Sequence, residues 1–438
     1  MSIDNKLHRH IGLFALVVYG VGDILGAGIY ALVGKAAGEM GNAIWLAFLA
    51  SMVAAGLTGL SYASLGSRYP RAGGASFFTH HAFRNNFLAH VVGLAALSSG
   101  VTSMAAGSRA FAGYFETLIP TGLPTSALVI AFCLVIATVV MRGIRESMWM
   151  NLLCTGIEFA GLIFVIAVGA RFLGSVDYLN AVTVTHPSGD LSLSLVLSGA
   201  VLTFYSFVGF EDVINVSEEV IEPEHNVPRG LLLAVLISSV IYVAISLVAV
   251  SVVPAAELAA SGAPLVDVVK RAAPWVPPLA FGFVAMFAVA NTALLNFIMG
   301  SRLMYGMANQ GLLPCVLGKV SRRRTPYVAS LVVLIFMLTL ALSGDIASLA
   351  RATSVLLLFC FMVVNIALVV LKARKGEARG RFEVPYVVPV LGALVCAAML
   401  SFSKLEELRV AGTIMLVIVV LYFVVKPKAS DLETPIPD

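Results

Sequence analysis

The chain has 438 residues, 59% of them hydrophobic and 12% charged, with a formal net charge of +4. Soluble globular chains carry about 45–50% apolar and about 25% charged residues, so water is not the main solvent of this one. The composition excludes a disordered chain, a coiled coil and a soluble nucleotide-binding enzyme. Long unbroken apolar runs exclude a transmembrane barrel, whose strands are about 10 residues long with alternating polarity.

A spanning helix needs about 20 apolar residues. Twelve runs approach or exceed that length, at 11–34, 43–67, 87–118, 124–142, 147–171, 192–219, 230–253, 277–308, 327–343, 346–371, 385–403 and 406–425. The predicted fold is therefore an all-α integral membrane protein with twelve transmembrane helices. The third and eighth runs are long enough to tilt. Between the seventh and eighth, residues 254–276 are amphipathic and proline-bounded, which predicts one or two surface helices. The cysteines Cys133, Cys154, Cys315, Cys360 and Cys396 are scattered, so neither a disulfide framework nor a zinc site is expected. The short polar start, MSIDNKLHRHIG, predicts no cleavable signal.

Lys and Arg set the orientation. With the N-terminus in the cytoplasm, 20 of the 28 fall in inner loops and tails, 6 fall outside, and Arg109 and Arg351 lie within segments. That asymmetry predicts cytoplasmic tails at 1–10 and 426–438 and, by the character of the chain, a location in the plasma or inner membrane. Arg351 sits too near the start of segment ten to be expected buried, and Arg109 is expected to reach the outer interface or a carboxylate.

Two segments carry interruptions. Segment one contains GVGDILGAGIY, with glycines at 20, 22, 26 and 28, and segment six breaks around Phe204–Asp212, FYSFVGFED. Glycine-interrupted segments at matching places in two halves point to an inverted-repeat transporter with a mid-membrane site. Unwinding at Gly26–Tyr30 would free backbone N–H groups at the head of an outer half-helix, a site for a carboxylate; the alternative is a close-packing face of small residues. A break in segment six would expose carbonyls that favour an ammonium. Phe204, Tyr205, Phe207 and Phe210 could wall a pocket there or form a core cluster.

The segments GVGDILGAGIYALVG, YPRAGGASFF, RGIRESMWMNLLCTGIE, FYSFVGFEDVINVSEEVIEPEHNVPRG and SRLMYGMANQGLLP, in that order, resemble the amino acid–polyamine–organocation superfamily, on the side of the cationic amino acid transporters and their bacterial relatives. The resemblance implies the leucine-transporter fold: inverted repeats at 11–171 and 192–371, then two further helices at 385–425. It implies a substrate carboxylate on the amides of Ala27, Gly28 and Ile29. It also implies an ammonium on carbonyls near Gly22, Ile24, Phe207, Val208 and Phe210. Relatives often carry a lysine on the fifth helix in place of a bound sodium ion; at that position this chain has Glu158.

An ionisable residue deep in a membrane segment is a functional candidate by default. Glu158 is expected to couple or gate transport, or else to stay neutral or paired in a structural role. Asp23 is expected to line the pathway or pair with a cation at an inner gate, and Glu211 and Asp212 to pair in the bundle or contact substrate. Asn291, Asn296 and Asn365 are expected to cross-link helices. The predicted function is secondary active transport of an amino acid by alternating access, as symport or exchange coupled to protons rather than sodium. A polyamine or other organic-cation transporter and a non-transporting sensor are the alternatives. The short tail after Phe423 counts against a sensor, and a polyamine would leave the amide site unused. No nucleophile–base pair, HExxH or phosphate loop supports an enzyme, and no cofactor, metal or nucleic-acid partner is expected.

Overall fold

The computed structural model describes residues 11–425 except 71–73, 143–144, 184–186, 188, 310, 322–324 and 378. The predicted cytoplasmic tails, 1–10 and 426–438, lie outside the described residues. The described chain forms sixteen α-helices and several 3-10 segments, the longest at Phe210–Glu219. In order these are α1 (Leu13–Ile24), α2 (Ala27–Met40), α3 (Ile44–Arg68), α4 (Gly74–Phe83), α5 (Asn86–Leu118), α6 (Thr125–Arg142), α7 (Arg145–Gly169), α8 (Leu193–Phe204), α9 (Pro223–Val252), α10 (Ala255–Ala260), α11 (Pro264–Ala272), α12 (Pro278–Asn309), α13 (Tyr327–Ser343), α14 (Ile346–Ala373), α15 (Val387–Ser401) and α16 (Leu405–Val425). Among the described residues, ten stretches are long and apolar enough to cross a membrane. The apolar helices α13 and α15, of 17 and 15 residues, are shorter.

Polar residues set the helix starts. Asp345 accepts from the amides of Ala347 and Ser348 while the Ser348 hydroxyl accepts from the Asp345 amide, a reciprocal capping box at the head of α14. Asn85 caps α5 and Ser192 caps α8 in the simpler way. Helix α9 starts at Pro223, seven residues before the apolar run at 230; proline at the first helical position and Glu224 in the first turn suit a helix head that reaches into water. The stretch at 254–276 folds as two helices, α10 and α11, as its pattern predicts.

Helices α3 and α9, α5 and α12, and α5 and α14 make the broadest contacts, with α1 and α2 packed among them. Side chains such as Val135, Leu153, Leu416 and Val424 point outward, where acyl chains solvate them.

Polar contacts gather the helix ends into two faces. On one, Arg68 at the end of α3 and Lys372 at the end of α14 both bind Glu383, at 2.6 Å each, and Arg381 binds Glu224 of α9 at 2.9 Å. Burial alone would raise the Glu383 carboxyl, but hydrogen bonds from Arg68 and Lys372 outweigh it and hold the group at about 2. A depressed carboxyl stabilises the fold above its unfolded value of about 4.3 and loses that contribution only as pH falls through its folded value. The Glu383 pairs therefore keep their contribution through the neutral range.

On the opposite face, Arg351 of α14 is buried, contrary to expectation. It pairs with Glu39 at the end of α2 and with Glu407 of α16 (2.9 Å), while Lys404 holds Glu39 at 3.1 Å. Two carboxylates from other helices meet it there, which a reading of segment ten alone cannot show. Arg109, by contrast, pairs with no carboxylate among the described residues: it donates to the Ala341 carbonyl near the end of α13 at 2.7 Å. Arg351→Met should leave Glu39 and Glu407 without their buried cation. Removing one partner of a buried pair costs about 3–5 kcal/mol, so thermal unfolding in detergent should shift clearly downward. An unchanged midpoint would contradict the buried pairing.

Candidate functional site

The first interruption falls where the glycines place it. Helix α1 ends at Ile24, Leu25 is extended, and Gly26 has φ +138°, a region that only glycine enters at little cost. The first backbone hydrogen bond of α2 runs from the Tyr30 amide to the Gly26 carbonyl. The amides of Ala27, Gly28 and Ile29 precede it and are the orphan donors of a helix N-terminus.

The second interruption matches it. Helix α8 ends at Phe204, one 3-10 turn covers Tyr205–Phe207, Val208 is extended, and Gly209 has φ +114°. The two breaks touch. A Cβ on Gly28 would lie 2.5 Å from the Ser206 Cα, and one on Gly209 would lie 2.8 Å from the Asp23 carbonyl oxygen. Tyr242 of α9 joins them: its hydroxyl lies 2.5 Å from the Ile24 carbonyl and 2.7 Å from that of Ser206, with one proton to share between the two. The Ile24 carbonyl thus already accepts from Tyr242, and its second lone pair remains.

Helix α7 lies along the first break. A Cβ on Gly22 would run into Thr155, and one on Gly26 would run into Thr292 of α12 and lie 3.2 Å from Glu158 Oε1. Thr155 and Glu158 are one turn apart on α7 and meet Gly22 near the end of α1 and Gly26 in the break that follows it. Small residues on one helix admit the polar groups of the other. Glu158 is fully buried, and neither carboxyl oxygen has a hydrogen-bond partner among the described residues.

Asp23 is buried against Gly209, and the charged groups acting on it are Asp212, Glu211 and Glu158, all acidic. No cation pairs with it among the described residues, so of its two expected roles, lining the pathway or pairing with a cation, the second has no partner here. Glu211 accepts from the Gly209 amide and Asp212 from the Asn215 side chain, both at 3.0 Å. Both carboxylates, with Val208, Tyr62, Ser76 and Asn296, line a cavity of about 70 Å³ between the second break, α3, α4, α5 and α12.

The aromatic residues divide. Phe204 and Phe210 pack on Phe361, and Phe210 also meets Tyr62 edge-on. Phe207 meets Tyr242 edge-on at 5.3 Å. All three are buried in ring contacts, and Val208 is the residue of this group that reaches the cavity. The asparagines divide as well. Asn365 links α14 to Thr58 and Ser61 of α3, and Asn291 of α12 donates to Asn151 of α7. Asn296 donates to the Thr292 carbonyl of its own helix and faces the cavity instead of cross-linking.

Sequence reasoning passed over Tyr242, Ser206 and Thr292. A phenol inside an apolar run needs a partner when buried, and that was the available signal for Tyr242. Nothing local marks the other two.

Apolar helices of spanning length, with polar groups concentrated where two of them break, define an integral membrane protein of the permease type. The chain belongs to the amino acid permease family, whose sequence pattern it matches over residues 11–425. It is 26% identical to a branched-chain amino acid permease of Bacillus subtilis, over 99% of this chain and 96% of that one. It is 27% identical to a methylthioribose transporter of the same organism, over 90% and 88%. A vacuolar cationic amino acid transporter of Arabidopsis thaliana is 28% identical over 84% of this chain and 64% of its own length.

Proposed function

We propose that the protein is a secondary transporter that moves an amino acid by alternating access. The observation that carries this reading is the meeting of two helix breaks, at Leu25–Gly26 and Val208–Gly209, in the middle of the bundle. One supplies unpaired amides at the positive end of a half-helix, the other an interrupted run of carbonyls. A zwitterion with a carboxylate and an ammonium about one residue apart complements that arrangement. In this reading Ala27, Gly28 and Ile29 hold the carboxylate. Carbonyls near Gly22, Ile24, Phe207, Val208 and Phe210 take the ammonium, with Phe204 behind them.

The twelve spans are then α1 with α2, α3, α5, α6, α7, α8 with its 3-10 continuation, α9, α12, α13, α14, α15 and α16. The first ten form two inverted repeats. The face holding Arg68, Lys372 and Arg374 is cytoplasmic, by the excess of Lys and Arg there. The cavity lined by Glu211 and Asp212 then lies on the cytoplasmic side of the breaks, and the Arg351–Glu39–Glu407 cluster closes the outer side. Glu158 is the coupling group. An ionised carboxylate left bare in such a place costs several kcal/mol, so a proton or a cation occupies it, and a proton fits a carboxyl pressed against a helix break. Asp23 and Glu211 carry the charge toward the cytoplasmic cavity.

The test is ligand chemistry on the purified protein. The methyl ester of the best amino acid should bind on the order of 100-fold more weakly than the free acid, because it loses charge-assisted hydrogen bonds of about 1.5–3 kcal/mol each. An ester that binds as well as the acid would contradict the amide site. Binding of a sugar thioether with no binding of any amino acid would overturn the substrate class.

A further inference from the structure

The face around the end of α14 carries more positive charge than its ion pairs consume. Two adjoining clefts of about 230 and 310 Å³ share Arg68, Lys372 and Arg379. Arg374 and Lys375 complete a set of five cations around them, against two carboxylates, Glu377 and Glu383. Both carboxylates are already engaged. Glu383 binds Arg68, Lys372 and the Gly380 amide. Glu377 takes hydrogen bonds from Tyr69 (2.5 Å) and His81 (3.1 Å) and pairs with Arg374 at 3.5 Å. Lys375 and Arg379 take part in no ion pair among the described residues, and both are exposed.

The clefts are framed as well as charged. Glu383 ties the ends of α3 and α14 together as their wall. At the head of α15 stands Tyr386, with its hydroxyl on the Lys372 carbonyl at 2.5 Å and the Lys372 ammonium 5.5 Å from its ring centre. Tyrosine prefers this headgroup level, with its ring in the apolar layer and its hydroxyl in water. From there α15 runs into the bundle's outer surface with Val387, Val390, Leu391 and Leu394 exposed along one stripe, at a spacing of three or four residues. Val387 is 63% and Leu394 60% exposed, so no other described helix of this chain covers the stripe.

We propose that these clefts bind the phosphodiester headgroup of an anionic phospholipid, with its acyl chain along α15. The shared chemistry is a phosphate anion, which a free phosphate ester could also offer. The apolar stripe directly below the cations selects the lipid. Solvated topogenic charge explains an excess of Lys and Arg in a loop, but not two clefts with neutralised walls, two unpaired cations and an adjoining apolar track. The inference needs only that the chain spans a bilayer, so it stands or falls separately from the substrate and from its coupling.

The experiment is native mass spectrometry of the full chain, delipidated in detergent and titrated with phosphatidylglycerol or with phosphatidylcholine of the same acyl chains. Phosphatidylglycerol should be preferred. An interfacial cation is worth about fivefold in affinity for an anionic lipid, so the double variant Lys375→Gln/Arg379→Gln should lose that preference by about 25-fold. Its phosphatidylcholine binding should not change. The pair Lys270→Gln/Arg271→Gln, on α11 at the opposite face, should keep the full preference. Glycerol 1-phosphate at millimolar concentration should not displace the lipid. Equal phosphatidylglycerol preference in both double variants would overturn the site, and displacement by glycerol 1-phosphate would overturn the lipid as its occupant.

Discussion

Gly28→Val is expected to abolish amino acid binding, weakening it by on the order of 100-fold or more, and to lower thermal stability with it. Both effects have one cause. The first turn of α2 lies directly on Ser206, and even a single added carbon would sit 2.5 Å from the Ser206 Cα. The two breaks must separate to make room, which moves the amides of Ala27, Gly28 and Ile29 away from the carbonyls of the other break. A site built from backbone cannot be repaired by a rotamer change. The control is Gly156→Ala on α7, whose added carbon meets nothing within 4 Å; it should bind substrate like the parent. Scintillation or calorimetric binding reads both variants. Parental affinity in Gly28→Val would remove α2 from the site.

The second large effect is expected at Glu158. Glu158→Gln keeps the shape and a permanent hydrogen-bond donor but cannot gain or lose a proton. It should still bind and exchange substrate, because it is not among the groups assigned to the carboxylate or the ammonium. It should lose the response of uptake to pH and to an imposed proton gradient. The physical reason is its position. The carboxyl lies beside Gly26, where α1 gives way to α2, and it has no hydrogen-bond partner among the described residues. Protonated, it is a donor for a carbonyl of the break and can hold α7 to α1. Ionised, it accepts only, and the contact loosens. Full proton-driven accumulation by Glu158→Gln would refute the coupling role. Sodium-stimulated uptake in the parent, lost in this variant, would reassign Glu158 as a cation ligand.

Much of the site was legible because breaking a membrane helix needs specific residues. Gly26 and Gly209 take backbone angles closed to other side chains, and both stand out in an apolar run. Glu158 stands out for a different reason: a carboxyl is costly in the middle of a spanning helix, which makes it a functional candidate by default. What the sequence could not supply was distance. Nothing in segment ten says that Arg351 meets Glu39 and Glu407, because those carboxylates come from helix ends hundreds of residues away or near the other terminus. Phe204, Phe207 and Phe210 read equally well as pocket wall or as core, and their ring contacts appear only once Phe361, Tyr62 and Tyr242 are brought beside them. The early start of α9 was hidden because hydropathy measures solvent and not backbone: Pro223–Gly230 is polar and helical at once.

The central claim is transport of an amino acid through the site between the two breaks. It is tested most directly by uptake into proteoliposomes holding the purified chain, with a panel of labelled amino acids and an imposed proton or sodium gradient. At least one free amino acid should accumulate above its equilibrium level when the proton gradient is inward, and its methyl ester should not compete. No accumulation and no exchange of any amino acid, by protein that is folded and correctly inserted, would contradict the account.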